Sequence, residues 1–167
     1  MARATRYTVD EATATVVFGA TSSVHPIRTA GSASGWFTAS IEGDSFAGAT
    51  GVSGHLEVPL KGLSSGNPLI DREMRRRLES DAHPTIVACV ASAEVSASGG
   101  MTVTGTIEFF GSEVLVEGEL RVVEGPRLVG TGEFDVRWWG LEPPRLMMVR
   151  VGPIVTVGID LPLVAGP

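Results

Sequence analysis

The stretch MTVTGTIEFFGSEVLVEGELRV, residues 101–122, alternates apolar and polar side chains almost without interruption. Up to Phe109 the odd-numbered positions are apolar or glycine, and from Val114 to Val122 the even-numbered positions are. A period of two is typical of a β-strand that buries one face. The Gly111-Ser112 pair between the two runs indicates a hairpin. This stretch therefore predicts two antiparallel strands with one apolar and one polar face each.

The same period recurs on both sides of the hairpin. The turn Glu124-Gly125-Pro126 leads into a run from Leu128 to Val136, and a later run extends from Val155 to Leu161. Sequential antiparallel strands must bury their apolar faces against another layer, so the chain is predicted to be all-β. Weaker runs of the same kind occur earlier, at Val16 and Phe18, Phe37 and Ile41, Leu56, Val58 and Leu60, and Ile86, Ala88 and Val90.

One segment has a helical period instead. Between Asn67 and Glu79 the apolar residues are spaced for one helix face, at Leu69, Ile70, Met74 and Leu78. Asn67 suits an N-cap and Pro68 suits the first helical position. We expect one short helix, at about residues 67–79, that covers or plugs one end of the strands.

Small residues on the apolar faces favour a barrel over a sandwich. A sandwich needs large side chains between its sheets, whereas a barrel of about eight strands can hold one ligand when its interior side chains are small. Glycines required only for curvature would explain the pattern too. We expect an extended antiparallel barrel of about eight strands. The small residues are Ala14, Ala39, Ala88, Gly105, Gly118, Gly130 and Gly132.

Composition narrows the function classes. The chain has 167 residues, 43% of them apolar, which suits a single globular domain over residues 1–167. Its net charge of −6 disfavours binding to nucleic acid, which requires a basic surface. No apolar run approaches the ~20 residues of a membrane span, and no signal peptide is visible, so we expect a cytoplasmic protein without an integral membrane segment.

The order of several short motifs resembles the YceI-like family. The motifs are Tyr7-Thr8-Val9-Asp10, Gly35-Trp36-Phe37, Leu78-Glu79-Ser80-Asp81 followed by His83-Pro84-Thr85-Ile86, Val103-Thr104-Gly105, and Val155-Thr156-Val157. The resemblance covers nearly the whole chain. It implies an extended lipocalin-like barrel that binds polyisoprenoid or quinone-type lipids.

The inward face of the barrel is the first candidate site. A flexible apolar chain needs a long dry tunnel, here up to roughly 30 Å at about 3.3 Å per residue. Each five-carbon unit gains about 3–4 kcal/mol gross on leaving water, part of which chain ordering offsets. The residues predicted to line the tunnel are Phe18, Phe37, Ile41, Leu56, Val58, Ile86, Val103, Ile107, Leu120, Phe134, Val157 and Ile159.

Arginines on the predicted helix form a second candidate site. Arg72, Arg75, Arg76 and Arg77 would suit an anionic lipid head group at a barrel mouth, and the first three are the predicted head-group contacts. The alternative is a solvated helix face in which these arginines pair with Glu73 or Glu79 and lie favourably near the helix C-terminus. We favour the alternative.

No catalytic or metal site is predicted. His25, His55 and His83 have no metal-type spacing with one another or with Cys89, and Cys89 is interpreted as a packed thiol. No nucleophile elbow, phosphate loop or dinucleotide motif is present. We therefore expect neither a cofactor nor an enzyme, but a protein that holds an apolar ligand.

Two rival interpretations stay open. The residues Trp36, Trp138, Trp139, Met147 and Met148 indicate core packing, a lipid entrance or a homodimer patch. A barrel with a filled core could act through such an oligomer interface instead of carrying lipid. An enzyme acting on small lipids would need convergent polar groups inside, and the inward set holds almost none.

Overall fold

The computed structural model describes residues 3–143, 145–146 and 149–166, so that Met147 and Met148 lie outside the described residues. Within these residues the fold is all-β, as predicted, with strands at β1 Thr5–Val9, β2 Thr15–Ser22, β3 Ile27–Gly31, β4 Ser34–Glu42, β5 Ser45–Pro59, β6 Thr85–Val95, β7 Met101–Phe109, β8 Ser112–Val123, β9 Arg127–Asp135, β10 Arg145–Leu146 and β11 Val149–Ala165.

Eight of these strands close into a ring. Antiparallel pairing runs in the order β1, β4, β5, β6, β7, β8, β9 and β11, and β11 pairs again with β1. The long strand β11 presents one edge to β9 and the other to β2 and then β1. Strands β2 and β3 extend the sheet beyond the ring, which confirms the extended lipocalin-like barrel.

The predicted hairpin is confirmed, although its turn is Phe110-Gly111, one residue earlier than the expected Gly111-Ser112. Strands β7 and β8 pair along their length, with Met101 opposite Leu120 at one end and Phe109 opposite Ser112 at the other. The two turn residues, Phe110 and Gly111, have φ values of 53° and 78°, a left-handed backbone typical of a two-residue hairpin turn. The odd positions of β7 and the even positions of β8 therefore face the barrel interior together.

The predicted helix is present but slightly shorter. Helix α1 spans Pro68–Arg77, and the Asn67 side chain accepts hydrogen bonds from the backbone N–H groups of Leu69 and Ile70, as an N-cap does. Leu78 is the C-cap, so Glu79 lies beyond the helix, with a left-handed φ of 49°. Two short 3-10 helices also occur, at Leu60–Gly62 and Val136–Trp139.

One end of the ring is filled by side chains. Strand register brings Met101 beside Leu120 and Val122 beside Leu128, and Leu163 pairs with Val9 at the same end. All six side chains are buried. Helix α1 and both 3-10 helices follow strand ends at the opposite side, here called the helix end.

Candidate functional site

The ring encloses an apolar cavity of about 570 Å³. This volume lies within the roughly 300–1,000 Å³ of ligand pockets in proteins. Val9, Leu120, Leu128 and Leu161 line it, whereas Met101, Val122 and Leu163 do not. The cavity therefore occupies the part of the barrel toward the helix end, and it does not run the full length of the strands as the expected tunnel would, because side chains fill the other end.

Residues of ten strands, β1 to β9 and β11, line the cavity. Of the twelve residues predicted to line the interior, all except Ile41 do so. Ile41 lies where the register between β4 and β5 shifts, and it packs against the buried core. The eleven that line the cavity are Phe18, Phe37, Leu56, Val58, Ile86, Val103, Ile107, Leu120, Phe134, Val157 and Ile159.

Helix α1 contributes one face to the cavity. Met74, Arg77 and Leu78 line it. These three positions lie on one helix face because they are separated by three and four residues. The sequence pattern predicted the apolar face of this helix but not its role as part of the cavity wall.

The three predicted head-group arginines lie away from the cavity lining. Arg75 donates to the backbone carbonyls of Lys61 (3.3 Å) and Leu63 (3.5 Å), and Arg76 pairs with Glu73. Arg72 is exposed. The lining instead includes Arg77, whose Nε donates to Glu73 at 3.1 Å. Head-group contact by Arg72, Arg75 or Arg76 stays a prediction.

A buried carboxylate anchors α1 to the barrel. Asp71 accepts hydrogen bonds from the backbone N–H of Ser65 (2.8 Å) and the hydroxyl of Ser64 (3.2 Å). Ser64 in turn exchanges two backbone hydrogen bonds with Ala30 of β3. Burial alone would raise the pKa of Asp71, but the hydrogen bonds from Ser65 and Ser64, together with the charge of Arg75, lower that pKa.

The 3-10 helix after β9 places an indole ring in the cavity wall. Asp135 caps this helix by accepting from the backbone N–H of Arg137 at 2.9 Å. The side-chain hydrogen bonds from Arg137 lower the pKa of Asp135. Trp139 is only 6% exposed and donates its indole N–H to the Ile107 carbonyl at 2.9 Å. Sequence reasoning left Trp139 between core packing, entrance and dimer patch.

The cavity can bind a molecule by burying its apolar surface away from water. Its lining is mostly aliphatic or aromatic, and the charged residues at the lining are Arg77, Glu117, Glu119 and Glu142. No group of three or more His, Cys, Asp or Glu residues that could hold a metal ion occurs within the described residues. Such a cavity can remove an apolar chain from water and offer a cation to one end of it.

Comparison with known families identifies the chain. A family model for the YceI-like domain matches residues 7–163. The chain belongs to the YceI-like family. The match begins at Tyr7 and extends into the closing strand, so it includes all of the short motifs that resemble this family. Comparison with curated protein sequences gave no significant match.

Solved structures share this YceI-like fold at low sequence identity. The BcnA structure from Burkholderia cenocepacia has a TM-score of 0.75 at 14% identity and covers 93% of this chain and 99% of its own. A polyisoprenoid-binding domain from Saccharophagus degradans has a TM-score of 0.69 at 17% identity, with coverages of 96% and 98%. The YceI protein of Campylobacter jejuni has a TM-score of 0.59 at 9% identity, with coverages of 71% and 75%.

The helices of this YceI-like chain are short. In the ranges that the structure describes, no helix has the length and apolar character needed to cross a membrane.

Proposed function

We propose that this YceI-like protein binds one long apolar molecule, such as a polyisoprenoid or an isoprenoid quinone, and carries or stores it without catalysing a reaction. The observation that carries the proposal is the apolar cavity of about 570 Å³ inside the closed ring. The polyisoprenoid-binding domain from Saccharophagus degradans, which shares the fold, supports this ligand class.

The energetics favour a ligand of this kind. Burial of apolar carbon is worth about 0.8 kcal/mol per CH₂ group, and ordering a flexible chain offsets part of this gain. An apolar wall gives affinity that depends on the length of the ligand more than on its identity. A protein of this kind suits transport or storage, for which strict discrimination is unnecessary.

Arg77 is proposed to contact the polar end of the bound molecule. It is the cationic residue that α1 brings to the lining, beside Met74 and Leu78. The predicted contacts from Arg75 and Arg76 require their guanidinium groups to leave the backbone carbonyls or the Glu73 carboxylate that they face. Arg77 already lies at the lining.

The filled-core alternative makes a different prediction. A structural barrel would have an interior occupied by side chains, whereas this ring encloses a cavity.

A homodimer stays a prediction, and its candidate surface is an outer patch with Leu115 (70% exposed) and Trp138 (53% exposed), which lie together beside Thr104 and Glu133. Analytical ultracentrifugation of the native chain and of Trp138→Ser tests whether this patch joins two copies.

Native mass spectrometry of protein purified from its own host tests the proposed function. We expect one additional mass per chain that is released by organic solvent and identified as an apolar lipid by chromatography of the extract. A chain that carries no extra mass, and that also takes up no geranylgeraniol or ubiquinone when these probes are added, would contradict the proposal.

A further inference from the structure

A cysteine, a histidine and a glutamate lie together on the outer face of the barrel wall, and His55 and Cys89 are also among the residues that border the cavity. Strand register places His55 of β5 directly opposite Cys89 of β6. The Cys89 Sγ lies 3.4 Å from the His55 Nδ1, and the His55 Nε2 lies 3.5 Å from the Glu57 Oε1. Because the neighbouring residues Gly54 and Leu56 face inward, the alternation of β5 directs His55 and Glu57 outward.

The surroundings hold the imidazole ring in place. Trp36 of β4, which pairs with His55, stacks against the ring at an interplanar angle of 15° and a centroid distance of 6.4 Å. The Arg6 guanidinium covers the Trp36 ring at 3.9 Å. The His55 ring therefore has a packed face, a carboxylate at one nitrogen and a thiol at the other.

These contacts fit one neutral tautomer of His55. An N–H at Nε2 can donate to the Glu57 carboxylate, which leaves Nδ1 free to accept the proton of the Cys89 thiol. An imidazole oriented by a carboxylate and placed beside a thiol is the arrangement by which proteins activate a sulfur nucleophile. His55 and Cys89 are only partly buried and Glu57 is exposed, so small molecules in solvent can approach the sulfur.

We propose that Cys89 is a reactive thiol, activated by His55 and positioned through Glu57, that is modified by disulfides of small thiols. The thiol proton passes to the His55 Nδ1, and the Cys89 thiolate attacks one sulfur of the incoming disulfide. A new S–S bond forms at Cys89 while the original S–S bond breaks. The leaving thiolate takes the proton from the imidazolium, so the step balances without any other oxidant.

The product of this reaction is a stable mixed disulfide. The chain contains one cysteine, so no second thiol of the same molecule can displace the attached group. Cys89 borders the cavity together with its neighbours Ala88 and Val90. The inference rests on the contacts among Cys89, His55 and Glu57, and it does not depend on the proposed function.

The rate of reaction with dithiodipyridine, a neutral disulfide whose leaving group absorbs light, tests the proposal on the intact protein. Each variant's rate is divided by its own rate in urea, where folding no longer influences the thiol. We expect His55→Gln to lower this ratio at least tenfold and His83→Gln, a matched histidine at the helix end, to leave it unchanged. Mass spectrometry should place one adduct on Cys89.

Glu57 has a distinct prediction because it acts through His55. We expect Glu57→Gln to lower the ratio by a smaller factor than His55→Gln, and Glu57→Asp to restore part of it. A purely structural effect would lower the ratio in both glutamate variants alike. Equal ratios in native protein and His55→Gln, or a thiol that reacts only in urea, would overturn the proposal.

Discussion

Two inward-facing glycines show that small residues on the barrel wall serve two different structural purposes. A Cβ atom at Gly105 would lie 1.9 Å from the Cys89 carbonyl oxygen, so this position allows no side chain where β6 and β7 approach. A Cβ atom at Gly118 would have the Thr131 carbonyl oxygen as its nearest neighbour, at an ordinary 3.6 Å. Gly105 permits close approach of two strands, whereas Gly118 leaves space in the cavity.

Filling that space should therefore reduce ligand binding. We expect Gly118→Leu to fold and to bind geranylgeraniol at least about tenfold more weakly, since a loss of about 1.4 kcal/mol corresponds to a factor of ten. Gly158→Leu is the matched control, because Gly158 lies between the cavity residues Val157 and Ile159 and a Cβ there meets no atom within 4 Å. Equal affinity for both variants in a fluorescence titration would refute the cavity assignment.

Asp71 should make stability depend on acid pH. Its pKa lies below the ordinary value of 3.8, so its carboxylate stabilises the fold above about pH 4, and this stabilisation is lost as pH falls through the folded-state pKa. We expect Asp71→Asn to cost about 1–3 kcal/mol at pH 7 and less at pH 3. Urea unfolding at both pH values measures the difference.

The control for this measurement is the exposed Asp81, which pairs with Lys61 at 3.0 Å. A surface ion pair contributes about 0–1 kcal/mol, so Asp81→Asn should change stability little at either pH. An Asp71→Asn cost that is the same at pH 7 and pH 3 would contradict the role given to the carboxylate.

Most individual cavity residues could be predicted because alternation in a strand determines which face a side chain occupies. Ile41 was predicted to line the cavity but lies outside the lining. The register between β4 and β5 shifts beside Ile41, and such a shift cannot be read from the sequence pattern. Arg77 was predicted only as one member of the arginine run, because the run was treated as one group. Only its separation of three residues from Met74 distinguishes Arg77 from Arg75 and Arg76.

At the scale of elements, helix α1 was predictable because its start has a strong local signal. Asn67 accepts from two backbone N–H groups and Pro68 follows it. The 3-10 helix at Val136–Trp139 was not predicted, because four residues are too few to show a period. Its formation depends on capping by Asp135 and on the contact of Trp139 with the strand carbonyl of Ile107.

The N-cap of α1 gives a prediction at this scale. We expect Asn67→Ala to lower the free energy of unfolding by about 1 kcal/mol, because two backbone N–H groups lose their acceptor. Asn67→Asp retains an acceptor oxygen and should be close to the native protein. Denaturant unfolding compares them, and an aspartate variant as unstable as the alanine variant would exclude the capping role.

The 3-10 helix also offers a ligand sensor. The chain has three tryptophans, of which Trp139 lines the cavity while Trp138 is 53% exposed. In a Trp36→Phe/Trp138→Phe variant, we expect geranylgeraniol to shift the emission of Trp139. In a Trp36→Phe/Trp139→Phe variant, the emission of Trp138 should stay unchanged. A shift confined to Trp138 would place the ligand outside the barrel.

For the whole molecule, ring closure depends on pairings that no local pattern contains. Strand β1 pairs with the end of β11, which brings Tyr7 opposite Ala165, and β11 also contacts β2 along the same edge. The sequence predicted about eight strands, which matches the number in the ring, and it predicted their apolar faces. It could not indicate how far side chains fill the enclosed space, because this depends on the three-dimensional packing of residues such as Met101 and Leu163.

The most direct measurement of the central claim is an isotope-filtered NMR experiment on protein with labelled isoleucine methyl groups and bound geranylgeraniol. Ile86, Ile107 and Ile159 line the cavity, and Ile154 is exposed outside it. If the barrel interior holds the ligand, its protons will show nuclear Overhauser effects to the three cavity isoleucines and none to Ile154. Contacts to Ile154 without contacts to Ile107 and Ile159 would contradict the account.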